Sequence, residues 1–411
     1  MRVLIKFPSR SRPDKLLHAL FLYTFRCVNR QETSFLLTLD EDDTSITPDV
    51  LDEMRMLLEP FDYKIIVGKS ENKVHAINRD MDQAPPHDIL LLASDDMLPV
   101  VRGYDEVIRG HMREYYPDTD GVLWYNDGYA GDKLNTLVCM GRKYYERFGF
   151  IYNPVYKSFF CDNEFMDAAA SLKKQQYFPL VIIRHQHPAN TPDAPEDDLY
   201  RVNNRYWKQD QRTYFHRKSY DYDLSVCICS LEDRRHMLDQ LMTQLRSSQS
   251  QSSLRIELLV LTDNREMTIG EKRNKLVQQA KGKYCCFVDD DDGIAPDYFK
   301  EIEDVLRFFP DADCVSMKGM YYIDGVAKKP FYHSLRYKFY DEDETAYYRP
   351  PNHLNPILTG IVRRIGFTRK NMGEDIEFAI NLRKADLLWH EASVRKILYH
   401  YYYVSNKSLP A

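Results

Sequence analysis

Short apolar runs alternate with stretches of helical pattern along the whole chain. The first half contains the runs "RVLIKF", "SFLLTLD" and "DILLLA", and the second contains "LSVCIC", "IELLVLTD" and "KYCCFV". An alternation of strand and helix signals favours a mostly parallel sheet with helices on both faces. We therefore predict an α/β fold.

The same order of signals occurs twice. In each half a first strand and a helical stretch precede a second strand that ends in aspartate, Asp40 or Asp263. A polar loop, a helix carrying Asn78 or Asn274, and a strand that ends in acids then follow. Each half later has an acidic-aromatic motif, "CDNEF" or "GEDIEF", and a histidine near a final strand. A repeat of roughly 200 residues is too long for a solenoid and predicts a tandem duplication. The predicted domains are 1–204 and 224–411, joined by a connector, 205–223.

Acidic residues gather at the predicted strand ends. In parallel sheets these ends line the ligand crevice. The second half places four aspartates there, Asp289 to Asp292, and the first half places Asp95 and Asp96. Crowded carboxylates repel one another, and a divalent cation with phosphate ligands relieves the repulsion. One such cluster alone is equally well a solvated acidic turn, but its repetition favours a site for Mg²⁺ or Mn²⁺.

This order of elements resembles the GT-A nucleotide-sugar glycosyltransferases, most closely those of family 2. The resemblance covers nearly all of the second half, from Leu224 to about Ser408, and "VDDDDG" is similar to the family's metal-binding DxD segment. It implies two tandem GT-A domains, Rossmann-like, each with a mixed and mostly parallel sheet.

The resemblance also implies roles for individual residues. Asp375 in "GEDIEF" would be the catalytic base, with Asp162 at the corresponding position of the first half. Asp263 and Asp40 would lie on the nucleobase side of the donor. The remaining candidates are the metal ligands Asp289, Asp291, Asp292, Asp95, Asp96, His187 and His400, and the donor-site residues Asn78, Asn274 and Arg273.

Several of these candidates have a structural alternative. His185 competes with His187 as the late metal ligand of the first half, and a lone histidine more often only forms hydrogen bonds. Lys272 and Arg273 suit a diphosphate, but they equally suit a solvated helix face. The two repeated asparagines also suit helix or turn caps, and their repetition suggests a shared role in the fold.

The first half departs from the family pattern at two positions. Ala93 stands where the second half has Asp289, and Cys161 stands where it has Glu374. These changes put donor and metal chemistry in the first half in doubt.

The resemblance implies transfer of a sugar from a nucleotide-sugar donor to an acceptor hydroxyl, with inversion and a divalent metal, by one or both domains. A nucleotide- or carbohydrate-binding module without turnover is an alternative, which the combination of Asp375 with the DxD segment disfavours. A sugar nucleotidyltransferase would need a glycine-rich phosphate loop after the first strand, and neither "FPSRSRPDK" nor "CSLEDRR" contains glycine.

The acceptor and the location of the protein are less directly indicated. A net charge of −6 argues against bulk attraction to nucleic acid. The connector nevertheless mixes basic and aromatic residues, which suits either a solvated helix or a nucleic-acid contact. A polysaccharide or glycan is thus the first expectation, and a modified DNA base the second. The eight cysteines read as reduced core residues. Without an apolar stretch of signal or membrane-spanning length, the chain is expected to be cytoplasmic.

Overall fold

The computed structural model describes residues 1–186 and 198–405. The chain divides into two compact units, Met1–Tyr214 and Phe215–Ala411, and the division falls inside the predicted connector. His187, a predicted metal ligand, lies outside the described residues.

The N-terminal unit is built on a seven-stranded sheet. Its strands are β1 (Val3–Ser9), β2 (Thr33–Asp40), β3 (Asp62–Gly68), β4 (Ile89–Leu92), β5 (Met97–Pro99), β6 (Val122–Tyr125), β7 (Cys139–Gly141), β8 (Gln175–Phe178) and β9 (Ile183–His185). Its helices are α1 (Pro13–Arg26), α2 (Pro48–Leu58), α3 (Lys73–Asn78), α4 (Tyr104–Tyr115), α5 (Arg142–Phe148), α6 (Cys161–Ser171), α7 (Asp198–Asn204) and α8 (Trp207–Arg217), the last of which ends beyond the unit boundary. Short 3₁₀ turns occur at Arg30–Glu32 and Met81–Gln83.

The strand order in this sheet is β3-β2-β1-β4-β7-β6-β8. Strand β7 is antiparallel to both of its neighbours, and the other pairs are parallel. Strands β5 and β9 form a separate antiparallel pair. The sequence interpretation placed a polar loop where α2 and β3 lie. Strand β3 is a partly exposed edge strand, so its apolar pattern is weak.

The C-terminal unit has two six-stranded sheets. Its strands are β10 (Tyr222–Leu231), β11 (Ile256–Asp263), β12 (Gly282–Phe287), β13 (Gly293–Ile294), β14 (Cys314–Val315), β15 (Met317–Ile323), β16 (Val326–His333), β17 (Asp341–Glu342), β18 (Tyr347–Arg349), β19 (Ile357–Leu358), β20 (Glu391–Ala392) and β21 (Tyr399–Tyr403). A 3₁₀ turn, Glu232–Arg234, precedes α9 (Arg235–Gln249), and the later helices are α10 (Ile269–Gln279), α11 (Tyr298–Phe308), α12 (Thr359–Ile365) and α13 (Glu374–Ala385).

The first sheet of this unit repeats the N-terminal one. Its order, β11-β10-β12-β19-β14-β20, matches β2-β1-β4-β7-β6-β8 strand for strand, with the same parallel and antiparallel pairs. The pair β13 and β21 likewise matches β5 and β9. Strands β15 to β18 have no counterpart in the described N-terminal residues, and with β13 and β21 they form the second sheet. The predicted α/β fold is confirmed.

The burial of the central strands explains why they appear as apolar runs in the sequence. Every residue of β2 and β4 is buried, as expected for strands covered by helices on both faces. The eight cysteines are buried and unpaired, as their positions in apolar runs indicated. Across residues 1–186 and 198–405, no helix is both long and apolar enough to cross a bilayer.

The first part of helix α8, up to Tyr214, belongs to the N-terminal unit. The buried carboxylate of Asp210 accepts hydrogen bonds from the backbone N–H groups of Lys157, Ser158 and Phe159 at 2.8 to 3.2 Å. Arg212 is buried as well. The connector therefore does not present one continuous basic face to solvent.

Candidate active site

The four aspartates after β12 alternate in exposure. The side chains of Asp289 and Asp291 are 25% and 29% exposed, whereas Asp290 and Asp292 are 4% and 6% exposed. The first and third carboxylates of the row thus reach solvent, where they are accessible to a ligand.

The two buried carboxylates are anchored by neighbouring strands. The hydroxyl of Ser230 donates to Asp290 at 2.8 Å. The hydroxyl of Tyr399 donates to Asp292 at 2.8 Å, and the backbone N–H of Tyr402 donates to its other oxygen at 2.9 Å. Burial raises the pKa of both aspartates, and that of Asp292 well above its ordinary value.

Arg273 joins the aspartate row to the start of α13. Its guanidinium lies 3.2 Å from Asp289 and 3.3 Å from Glu374. The group is buried, and its Cζ lies 5.0 Å and 5.7 Å from the ring centroids of Phe287 and Phe367. Two motifs far apart in sequence are therefore held together by one cation.

Asp375 occupies the first turn of α13. The helix begins after Gly373, whose φ of 76° is in the left-handed region, and carboxylates in a first turn are favoured by the helix dipole. Burial lowers the pKa of Arg273, but the carboxylates of Asp289, Glu374 and Asp375 raise it above its usual value overall. Asp375 is thus electrostatically coupled to the cation that contacts the aspartate row.

Two basic side chains at this site were missed by the sequence interpretation. Arg234 lies 3.1 Å from Asp290 and 3.3 Å from Asp291, and His353 lies 3.5 Å from Asp289. Burial would raise the pKa of Asp289, but Arg273 and His353 hold it below its ordinary value. Arg234 follows β10 at the carboxyl edge of the sheet and was open to prediction, whereas nothing local marks His353.

Asp263 ends β11 in a buried ion pair with Lys272. It also accepts a hydrogen bond from the backbone N–H of Met267 at 2.9 Å, and Lys272 donates to the carbonyl of Ser230 at 2.8 Å. Lys272 and Arg273 are both buried, so the alternative that they form a solvated helix face is wrong.

The two repeated asparagines share one structural role. Asn274 donates to the carbonyl of Phe367 and accepts from its N–H, both at 2.8 Å. Asn78 donates to the carbonyl of Tyr152 at 2.6 Å and accepts from the N–H groups of Ile151 and Tyr152 at 2.9 and 3.1 Å. Each amide is used in tying a helix to a loop, and this geometry lends no support to their placement in the donor site.

His400 pairs across strands β21 and β13 with Gly293, the residue that follows the aspartate row, but its ring is bonded elsewhere. Its ring nitrogen is 3.3 Å from the hydroxyl of Tyr322. Successive residues of a strand point to opposite faces, so Tyr399, which contacts Asp292, turns His400 away. This placement gives no support to His400 as a metal ligand.

The carboxylates of the aspartate row are the candidate ligands for a metal ion. Within residues 1–186 and 198–405, no three His, Cys, Asp or Glu side chains are grouped to hold an ion. Mg²⁺ typically takes one or two carboxylates and completes its shell with phosphate oxygens and water. The partly exposed carboxylates of Asp289 and Asp291 fit that requirement.

A known protein family matches part of the C-terminal unit. Residues 225–367 match the model described as glycosyl transferase family 2. The resemblance of the second half to family 2 glycosyltransferases is confirmed over these residues. The matched segment, here called the family 2 segment, contains the aspartate row and Arg273. Glu374 and Asp375 lie just beyond it. No curated protein matches the chain.

Two solved structures are similar to parts of the chain. One is the mannosyltransferase PcManGT from Pyrobaculum calidifontis in complex with GDP-Man and Mn²⁺, at 14% identity and a TM-score of 0.42, over 53% of this chain and 65% of that one. The other is S. aureus TarS 1-349 in complex with UDP, at 14% identity and a TM-score of 0.31, over 44% of this chain and 60% of that one. The chain spans less than two thirds of the length of either structure.

The N-terminal unit lies outside the family 2 segment and has a different charge arrangement at the corresponding edge. Asp95 is paired with Arg12 at 3.1 Å, and both side chains are largely buried. Asp96 accepts a hydrogen bond from Ser94 and lies 3.7 Å from His185. Burial raises the pKa of Asp95 to about 6. Both of these predicted metal ligands lie next to basic side chains, as Asp289 and Asp291 do.

The cluster that defines the C-terminal site is replaced as a group. The two halves can be aligned on three shared residue pairs: Asn78 with Asn274, Asp95 with Asp291, and Asp162 with Asp375. In this alignment the charged residues Asp289, Arg273 and Glu374 correspond to the uncharged residues Ala93, Ile77 and Cys161. All three replacements are buried. A divalent metal fits this edge poorly, because Ala93 replaces one carboxylate and the side chain of Asp95 is only 8% exposed.

Two other candidate residues of this unit lie at the end of a strand and at the start of a helix. Asp40 ends β2 and is paired with Arg10 at 2.8 Å. Asp162 lies in the first turn of α6, where burial raises its pKa.

Proposed function

We propose that the C-terminal unit transfers a sugar from a nucleotide-sugar donor to an acceptor hydroxyl. The observation that carries this proposal is the contact of Arg273 with both Asp289 and Glu374. It brings the exposed carboxylates of the aspartate row and the first turn of α13 into one site, and the family 2 segment supports the reaction class.

The donor would bind along the carboxyl edge of the first sheet. Asp289 and Asp291 would hold Mn²⁺ or Mg²⁺, which when bound neutralises charge on the leaving diphosphate. Arg234 lies 3.3 Å from Asp291 and is partly exposed, so it would contact the same phosphates. Asp263, at the end of the neighbouring strand β11, would face the nucleoside.

Asp375 would act as the general base. It would accept the proton of the acceptor hydroxyl as that oxygen bonds to the anomeric carbon and the bond to the diphosphate breaks. A single displacement of this kind inverts the configuration of the anomeric carbon. The preceding Glu374 is held by Arg273, which would fix the orientation of the turn that carries Asp375.

We propose a glycan hydroxyl as the acceptor in preference to a modified DNA base. DNA binding requires a cluster of Lys and Arg on one face. In the connector, Arg212 is buried and His216 lies 3.0 Å from Asp313. Together with the net charge of −6, this arrangement favours a less anionic acceptor.

The test is turnover of UDP-, GDP-, CMP- and TDP-sugars with Mn²⁺ by the full chain and two variants. Asp291→Asn removes a metal-binding charge, and Asp375→Asn removes the base. We expect each to lower turnover by about 100-fold or more, and EDTA to abolish it in the wild type. Asp311→Asn, at an exposed aspartate away from the row, is the matched control and should behave as the wild type. Full turnover by both site variants, with unchanged circular dichroism, would refute the assignment.

A further inference from the structure

The N-terminal unit has a cavity of about 730 Å³ at the carboxyl edge of its sheet. The ends of β1 and β2, the segment after β4, and the starts of α3 and α6 form its walls. This volume is typical of a small-molecule site. The cavity is distinct from the site proposed above, because all of its lining residues belong to the N-terminal unit.

Three residues that line this cavity each have a polar side-chain atom without a hydrogen-bond partner. These atoms are Asp40 Oδ1, Ser9 Oγ and Ser70 Oγ, all of them buried atoms. Leaving a buried polar atom without a partner costs about 1–3 kcal/mol. A carboxylate oxygen accepts hydrogen bonds and a hydroxyl donates or accepts them, so these groups match a ligand that carries several hydroxyl groups.

The cavity also has an apolar wall, at the positions equivalent to the charged cluster of the C-terminal unit. Ala93, Ile77 and Cys161 line the cavity there. Aromatic side chains extend this apolar wall, among them Trp207, which is 40% exposed and packs edge-on against Phe159 at 4.8 Å. An aromatic face suits the C–H face of a sugar ring, because those hydrogens meet the electron-rich ring.

Charge argues against a phosphate ligand. Acidic side chains lining the cavity outnumber basic ones, seven to five with His185 included. Arg10 is already paired with Asp40 and Asp42, and Arg12 with Asp95. A diphosphate would add negative charge to an acidic cavity that has no fitting metal site, and such like-charge contact is unfavourable.

We propose that this cavity binds a neutral sugar residue of a glycan, without a divalent metal ion. Asp40, Ser9 and Ser70 hydrogen-bond the sugar hydroxyls, and Trp207 with the apolar wall contacts one face of the ring. The site is independent of catalysis in the C-terminal unit.

The experiment is saturation-transfer difference NMR on the full chain in EDTA, with D-glucose, D-galactose, D-mannose and N-acetyl-D-glucosamine as probes. At least one sugar should show saturation transfer. Asp40→Asn should weaken its binding by about tenfold, the loss expected for a hydrogen bond to a charged group, and Trp207→Leu should also weaken it. Asp49→Asn, an exposed aspartate on α2 outside the cavity, is the matched control and should leave binding unchanged.

The outcomes separate this proposal from the transferase proposal. Asp291→Asn should leave sugar binding intact even though it removes transfer. The inference is overturned if no sugar of the panel binds, or if binding is unchanged in both Asp40→Asn and Trp207→Leu. It is also overturned if UDP or GDP binds in EDTA and Asp40→Asn abolishes that binding, since the cavity would then be a nucleotide site.

Discussion

Arg273 shows how one residue connects stability with function. A buried cation is tolerated only when it is paired, and this one has two carboxylates and two aromatic rings around it. The same contacts hold Asp289 at the site and fix the turn before Asp375. The residue was a candidate for diphosphate binding from the sequence, and the structure gives it contacts with protein carboxylates.

Arg273→Met should therefore destabilise the C-terminal unit strongly. Removing one partner of a buried ion pair leaves the other charge uncompensated, which costs about 3–5 kcal/mol. Urea unfolding followed by circular dichroism measures the change. Lys275→Met, on the same helix but exposed, is the matched control. Adding Glu374→Gln to Arg273→Met should recover part of the loss, since one uncompensated carboxylate is then neutral. Equal stability of the Arg273 and Lys275 variants would contradict this account.

At the level of elements, the two units share the arrangement of their strands and helices but differ in the charged residues at the equivalent edge. The two asparagines occupy equivalent helices, α3 and α10, and each fastens its helix to a loop by backbone hydrogen bonds. These contacts persist although the charged cluster beside them is kept in one unit and lost in the other. A residue that recurs in both halves thus marks the shared fold here.

Asn274→Ala should accordingly reduce stability without a direct effect on the donor site. The backbone groups of Phe367 would lose their partner, at a cost of about 1–3 kcal/mol. The Michaelis constant for the donor should change little at temperatures where the variant is folded. Thermal unfolding and donor kinetics, with Gln278→Ala on the exposed face of α10 as control, measure both effects. If a fully folded Asn274→Ala variant lost donor binding, this account would be wrong and Asn274 would be assigned to the donor site.

At the level of the whole molecule, the two units differ in their fit to a metal ion. The C-terminal row presents two partly exposed carboxylates. The corresponding N-terminal edge has Ala93 and an Asp95 paired with Arg12. One chain with two similar sheets should therefore bind a single catalytic metal ion.

Titration of the full chain with Mn²⁺ in the presence of UDP or GDP, followed by electron paramagnetic resonance, tests this expectation. We expect one tightly bound ion per chain. Asp291→Asn should abolish its binding, and Asp95→Asn should leave it unchanged. Two ions per chain, or loss of the ion in Asp95→Asn, would show that the N-terminal unit also holds metal.

The sequence by itself determined the α/β fold and the acidic strand ends. Central strands are buried on both faces, so β1, β2, β4 and their counterparts appear as apolar runs that end at the ligand edge. The aspartate row was readable for the same reason, because its residues are consecutive. Edge elements such as β3 have mixed patterns and were missed.

Only the tertiary structure decided which carboxylates are exposed, which are paired, and with what. Arg234, His353 and Tyr399 reach the aspartate row from segments 55 to 110 residues away along the chain, and no local pattern encodes such contacts. Because successive side chains of a strand point to opposite faces, Tyr399 faces the aspartate row and His400 does not. The replacement of Asp289, Arg273 and Glu374 by Ala93, Ile77 and Cys161 likewise acquires meaning only when folding brings the three positions together. Burial and pairing depend on contacts between distant segments, and for that reason the chemistry of each unit was settled by the fold.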